Sequence, residues 1–138
     1  MPNPGYEFFE HTADTGLRVC GTTLPELFAH AAAGLTALLV GDSPVALSQS
    51  KPIALSRHSV DALLRAWLAE LLFGFSSERF LPGECRFETL TETELRGRVV
   101  GERFDSSRHV FSTEVKGITR HRLSVKLVDG RWQAQVDR

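Results

Sequence analysis

Two aspartates near opposite ends of the 138-residue chain could do chemistry together. Asp14 ends the segment His11-Thr12-Ala13-Asp14, and Asp137 is the penultimate residue. Carboxylates are hard oxygen ligands, so a fold that brought them together could hold a divalent cation between them. Spacing alone also allows simpler roles. Thr12 and Asp14 could cap a turn, and Asp137 could form a cross-strand ion pair with Arg122.

Cationic side chains form a second candidate group in the C-terminal half of the chain. Arg108 and His109 end the stretch 101–109, and Lys116 and His121 delimit the next polar stretch. Together with His11, these side chains could contact a phosphate group or a partner protein. The alternative is that both stretches are solvated loops between strands.

The sequence carries no motif of a stand-alone catalyst. It lacks the G-x-S-x-G nucleophile elbow, the P-loop, a G-x-G-x-x-G after a strand, and the H-E-x-x-H zinc motif. The pattern therefore gives no reason to propose a stand-alone catalyst. A small metal-dependent phosphohydrolase, using the two aspartates with Arg108, His109 and His121, is the enzymatic alternative.

The bulk composition predicts one soluble globular domain covering residues 1–138. The chain is 42% hydrophobic and 24% charged, with a net charge of −1 and no basic patch that would indicate a large nucleic-acid interface. Cys20 and Cys85 lie far apart in apolar segments, which predicts buried, reduced thiols rather than a zinc site. No signal-peptide pattern and no membrane-spanning apolar stretch is seen, so we expect a cytoplasmic protein.

Two amphipathic helices are predicted. The first begins after Thr23, because Thr23 and Glu26 have capping-box spacing and Pro25 suits the first turn. Gly41 can end this helix by adopting a positive φ. In the second, apolar residues recur every three or four positions from Val60 to Phe75, which is typical of a helix packed on a sheet.

The remaining segments are predicted to be strands. The earlier ones are expected at 5–10, 16–21, 51–56, 84–90 and 94–100. Asp129-Gly130 signals a type I′ turn in a C-terminal hairpin. Its register pairs Val128 with Arg131, Leu127 with Trp132, Val125 with Ala134 and Leu123 with Val136. We therefore predict an α+β two-layer sandwich, with two amphipathic helices packed on a mostly antiparallel sheet and both tryptophans in one core.

Five blocks follow one another along nearly the whole chain. They are Tyr6–Gly16 with its His11-Thr12-Ala13-Asp14 core, Asp61–Leu72, Gly101–His109, Val115–His121, and the Trp132 strand that ends at Asp137. In this order the five blocks resemble the archease family. The resemblance implies a non-catalytic accessory protein of an RtcB-type RNA ligase. Such a protein promotes guanylylation of the ligase by GTP and multiple turnover in tRNA splicing and RNA repair, with GTP and RNA engaged only through the ligase.

The resemblance also implies a divalent metal site for Ca²⁺, Mn²⁺ or Mg²⁺. Its ligands would be Asp14, Asp137 and a backbone or terminal oxygen of Arg138. Two positions depart from the family pattern, since Thr15 replaces an aliphatic residue and Arg138 an apolar one. A metal-independent, chaperone-like binding protein that uses an apolar patch is the remaining alternative.

Overall fold

The computed structural model describes residues 5–11, 14–112, 115 and 123–137, with only the backbone described for residues 9–11, 14, 15 and 137. In this part of the chain the elements follow the order β1-β2-α1-β3-α2-β4-β5-β6-β7. Helix α1 spans Leu24–Val40 and α2 spans Val60–Glu78. The strands are Tyr6–His11 (β1), Asp14–Gly21 (β2), Gln49–Ser56 (β3), Phe80–Leu90 (β4), Glu94–Arg103 (β5), Ser124–Val128 (β6) and Arg131–Asp137 (β7).

Both helices begin at the side-chain caps that their sequences provide. Thr23 Oγ1 accepts the backbone N–H of Glu26 at 3.2 Å, as its spacing predicts. Gly41 ends α1 with a φ of 63°. Ser59 caps α2 in the same way, but α2 runs one turn beyond the predicted end, because its apolar periodicity stops before its backbone hydrogen bonding does.

The α+β class is confirmed, and the strands divide between two antiparallel sheets. The four-stranded sheet has the order β1-β2-β7-β6, and the three-stranded sheet has the order β3-β5-β4. Helix α1 contacts β2 in one sheet and β4 in the other, and α2 likewise contacts strands of both. The helix pair therefore joins the two sheets.

The predicted register of the C-terminal hairpin is confirmed. Val128 pairs with Arg131, Leu127 with Trp132 and Val125 with Ala134. Asp129 and Gly130 adopt φ values of 51° and 76°, as a type I′ turn requires. Strand β6 begins at Ser124, so Leu123 is not among its paired residues, and Arg122 lies outside the described residues.

The core is centred on Trp67 of α2, which is fully buried. Its indole Nε1 donates a 2.9 Å hydrogen bond to the Phe28 carbonyl of α1, and its ring packs against Phe28 and Phe87. Trp132 is half-buried and packs against the same core, so the two tryptophans share one core as predicted. None of the helices in the described part of the chain is long and apolar enough to cross a membrane.

Candidate functional site

The order of the four-stranded sheet brings the hairpin end of β1 and β2 next to the end of the last strand. The last strand, β7, is inserted between β2 and β6, so that Gly16 lies directly opposite Asp137. Asp14 lies two residues from Gly16 along β2. With about 3.4 Å per residue along a strand and about 5 Å between strands, the Cα atoms of Asp14 and Asp137 lie roughly 8 Å apart. The two predicted metal ligands thus occupy the same end of neighbouring strands.

His11 lies at this end of the sheet as well. It pairs with Asp14 across the β1–β2 hairpin, which leaves only positions 12 and 13 between the strands. His11, Asp14 and Asp137 therefore have neighbouring backbone positions. Thr12, Lys116, His121 and Arg138 lie outside the described residues, so their predicted roles, including the turn cap, stay predictions.

The chemistry of this donor set fits a hard cation. Two carboxylates and a backbone or terminal oxygen supply the oxygen ligands that Mg²⁺, Ca²⁺ and Mn²⁺ prefer. Three protein ligands would leave positions in the coordination shell open, since these ions take six or more. In the described part of the chain, which lacks the side chains of Asp14 and Asp137, no group of three or more His, Cys, Asp or Glu residues could hold a metal ion.

Arg108 and His109, the members of the second candidate group whose side chains the structure describes, surround the buried carboxylate of Glu102 near the end of β5. Glu102 is only 4% exposed, and its carboxylate is surrounded by donors. Oε2 accepts the Ala46 N–H at 2.7 Å and a guanidinium N–H of Arg108 at 3.0 Å, and Oε1 pairs with the other guanidinium nitrogen of Arg108. The hydrogen bonds from Arg108, and next that from Ala46, lower the Glu102 pKa from 4.5 to about 2.

His109 belongs to the same cluster and is 2% exposed. Its Nδ1 accepts the backbone N–H of Asp105 at 2.9 Å, so the other ring nitrogen carries the proton. That Nε2–H lies 2.9 Å from Glu102 Oε2 and 3.1 Å from the Pro44 carbonyl. Both ring nitrogens are thus satisfied by protein groups, and a phosphate contact through His109 is disfavoured by its burial.

Arg108 remains accessible although it is paired. Its side chain is 48% exposed while it bridges Glu102 and Asp105, and these carboxylates raise its pKa. The Asp105 carboxylate accepts hydrogen bonds from the hydroxyl and backbone N–H of Ser107, which lower its pKa. Arg108 could therefore contact a partner from this position, whereas His109 holds the loop in place.

The family model of the Archease protein family matches residues 6–137. This chain belongs to the archease family. It is 36% identical over 135 residues to the archease of Thermococcus gammatolerans, covering 94% of each chain. It is 31% identical over 142 residues to that of Methanosarcina acetivorans, covering 99% of this chain and 97% of the relative.

Solved archease structures agree with the fold. The solution structure of Methanobacterium thermoautotrophicum protein 1598 has a TM-score of 0.81 and 29% identity, with 98% of each chain covered. The crystal structure of a Thermotoga maritima archease, described as a possible chaperone, has a TM-score of 0.64. That pair is 19% identical and covers 93% of this chain and 91% of the other, so it supports the fold alone.

Two carboxylates that hold neighbouring segments together, Glu102 and Asp61, are not singled out by the sequence patterns. Glu102 was counted only as part of a polar stretch, since nothing in an alternating strand marks one carboxylate as buried. Asp61 stands out in the sequence only as the first residue of the Asp61–Leu72 block, yet its Oδ2 accepts the backbone N–H of Val125 in β6 at 3.0 Å. Its place in the first turn of α2 was the available signal, because acidic side chains there often accept backbone N–H groups.

Proposed function

We propose that this archease is a non-catalytic accessory protein of an RtcB-type RNA ligase, acting in tRNA splicing and RNA repair. In this proposal it promotes the guanylylation of the ligase by GTP and allows multiple turnover. The observation that carries the proposal is the β2–β7 register, which gives Asp14 and Asp137 neighbouring positions at one end of the sheet. GTP and RNA are engaged through the ligase, and the site of action is the cytoplasm.

A divalent cation is part of the proposal. Asp14, Asp137 and an oxygen of Arg138 would hold Ca²⁺, Mn²⁺ or Mg²⁺, and the bound ion would supply positive charge for a phosphate or a ligand of the ligase. The Arg138 side chain adds a cation nearby, which lowers metal affinity if it points inward. In this proposal the chain supplies the oxygen ligands and holds them on neighbouring strands.

The partner surface is proposed to surround that end of the sheet. His11 is the backbone neighbour of Asp14, and Lys116 and His121 belong to the stretch that leads into β6. Arg108 belongs to the loop after β5, and its half-exposed guanidinium suits a docking contact more than a catalytic one. The burial of His109 fits a role in supporting that loop.

Single-turnover guanylylation of the cognate ligase at fixed GTP and metal concentrations tests the proposal. The native protein should raise the rate, and substoichiometric amounts should raise the multiple-turnover yield. Asp14→Asn and Asp137→Asn should abolish the stimulation while the protein stays folded. The matched control is Asp42→Asn, which removes an exposed carboxylate after α1 and should stimulate normally. An unchanged rate with the native protein would overturn the proposal.

The same preparation separates the accessory role from the phosphohydrolase alternative. Incubated with GTP and each metal ion but without ligase, an accessory protein releases no phosphate. Phosphate release that disappears in Asp14→Asn would instead assign hydrolysis to this chain.

One observation favours chaperone-like binding as a second candidate. An open groove of about 450 Å³ runs between β3 and α2, and it is lined by Ile53, Leu55, Leu71 and Phe73. Phe73 is 65% exposed, although large apolar side chains usually avoid water. If ligase stimulation survives in Asp14→Asn but is lost in Phe73→Ser, the groove is the functional surface.

A further inference from the structure

Asp61 connects the start of α2 to the edge of the four-stranded sheet. It lies in the first turn of the helix, after the Ser59 cap, and its Oδ2 accepts the Val125 N–H at 3.0 Å. Val125 belongs to β6, which is the last strand in the sheet order. In the described residues, the Asp61 carboxylate is the hydrogen-bond acceptor for the Val125 N–H at this edge.

The hairpin geometry explains why Val125 needs such an acceptor. Val128 and Arg131 flank the two-residue turn and exchange backbone hydrogen bonds. The alternation of an antiparallel pair then directs the N–H of Val125 away from β7. Without Asp61 the Val125 N–H could form a hydrogen bond only with water, and the hairpin would lose this hydrogen bond to α2.

The tied hairpin is also the element that carries one predicted metal ligand. Strand β7 pairs with β6 on one side and with β2 on the other, and it ends at Asp137 opposite Gly16. Strand β6 follows directly on the stretch that contains Lys116 and His121. The position of β6 on α2 therefore affects the position of β7 and of Asp137 at its end.

We propose that Asp61 is a positioning residue for the cation site, fixing the β6–β7 hairpin on α2 through Val125 so that Asp137 is held beside β2. The inference rests on the proposed function, because it takes Asp14 and Asp137 as the ligands. Asp61 acts through the backbone and does not contact the ion.

Loss of the tie should weaken metal binding by a predictable amount. In Asp61→Ala the β6–β7 hairpin should be less ordered on α2. Part of the free energy of metal binding would then be used to order the hairpin, which lowers the affinity. A single hydrogen bond of ordinary strength corresponds to about a fivefold loss of affinity. Asp61→Asn keeps an acceptor oxygen in the same place, so it should restore affinity to within about twofold of the native protein.

Calorimetric titration of Mn²⁺ into the full chain provides the main measurement. The matched control is Thr36→Val, which removes another single hydrogen bond from a helix to a strand. Thr36 Oγ1 donates to the Pro82 carbonyl at 3.1 Å, and this bond ties α1 to the three-stranded sheet. Its loss should lower stability but leave Mn²⁺ affinity within about twofold of the native value. If Asp61→Ala folds poorly, Asp61→Ser replaces it, because serine suits the start of a helix but is too short to reach Val125.

Amide hydrogen exchange gives a second readout that does not depend on metal. The Val125 amide should exchange faster in Asp61→Ala and at the native rate in Asp61→Asn and Thr36→Val. A fivefold loss of Mn²⁺ affinity with faster Val125 exchange, and rescue by Asn, supports the inference. Equal affinity in Asp61→Ala and the native protein overturns it, as does an equal loss in Thr36→Val. Absence of Mn²⁺ binding by the native protein rejects the metal site itself, together with this inference.

Discussion

Replacing Glu102 with glutamine is expected to destabilise the fold, because the change removes a buried charge while nearly keeping the shape. The carboxylate is 4% exposed and interacts with Arg108, Ala46 and His109. These contacts lower the Glu102 pKa from 4.5 to about 2. The amide of glutamine can accept only part of these hydrogen bonds and carries no charge for Arg108.

The pKa gives the size and the sign of the effect. At about 1.4 kcal/mol per pKa unit, the lowered pKa of Glu102 means that the fold stabilises the ionised carboxylate over the protonated form by about 3 kcal/mol. The Arg108 side chain is 48% exposed, and solvent screening reduces the expected loss of unfolding free energy in Glu102→Gln to about 2 kcal/mol. Since the folded pKa is below the unfolded one, the stabilisation is complete above pH 4.5 and is lost as the pH falls towards 2.

Urea unfolding at pH 7 and pH 3 measures the size of this loss and its dependence on pH. The difference in unfolding free energy between the native protein and Glu102→Gln should fall at pH 3 to about 40% of its value at pH 7. Glu84→Gln is the control, since Glu84 forms an exposed 3.3 Å ion pair with Arg86 and its loss should cost less than about 0.5 kcal/mol. A Glu102→Gln protein as stable as the control at pH 7, or a difference independent of pH, would refute the electrostatic account.

Three further predictions concern the core and the sheets. Trp67→Phe removes the 2.9 Å indole hydrogen bond to α1 and leaves a void, so urea unfolding should show a loss of about 2–3 kcal/mol; a neutral effect would contradict the packing described. Burial raises the pKa of Cys85 to about 12, so at pH 8 a thiol reagent should leave Cys85 unmodified until urea unfolds the protein, as mass spectrometry can check. Gly97→Ala would place a Cβ 2.2 Å from the Arg86 carbonyl oxygen and should cost about 3 kcal/mol or more, whereas Gly74→Ala in the open face of α2 should be neutral or slightly stabilising.

The sequence predicted the helix caps and the hairpin turn, because these features depend on residues close together in the chain. The cap at Thr23, the positive φ at Gly41 and the type I′ turn at Asp129-Gly130 each depend on a few neighbouring residues, and all three are confirmed. The hairpin register followed from the turn and from apolar alternation. Strand β4 begins four residues earlier than predicted, at Phe80, because Pro82-Gly83 reads as a break but forms an irregularity within the strand.

Long-range pairing could not be predicted in the same way. Alternation shows that β2 and β7 each have an apolar face, but it does not show that they are neighbours or that the strands divide between two sheets. The burial of Glu102 depends on Ala46 and Arg108, which approach it from different loops. The proposed cation site likewise depends on sheet order. The residue types of Asp14 and Asp137 suggested it, but only the family resemblance implied that the fold brings the two together.

The Glu102 cluster and the proposed cation site belong to different sheets, so changes in the two places should have different effects. Glu102 is the penultimate residue of β5 in the three-stranded sheet, whereas Asp14 and Asp137 lie in the four-stranded sheet. In the described residues, strand-to-strand contacts stay within each sheet, and only the helices connect the two. Changes at Glu102 should therefore lower the free energy of unfolding without altering intrinsic Mn²⁺ affinity, and Asp14→Asn should do the reverse. If Glu102→Gln instead weakened Mn²⁺ binding as much as Asp14→Asn does, the loop that carries Arg108 would have to be part of the cation site.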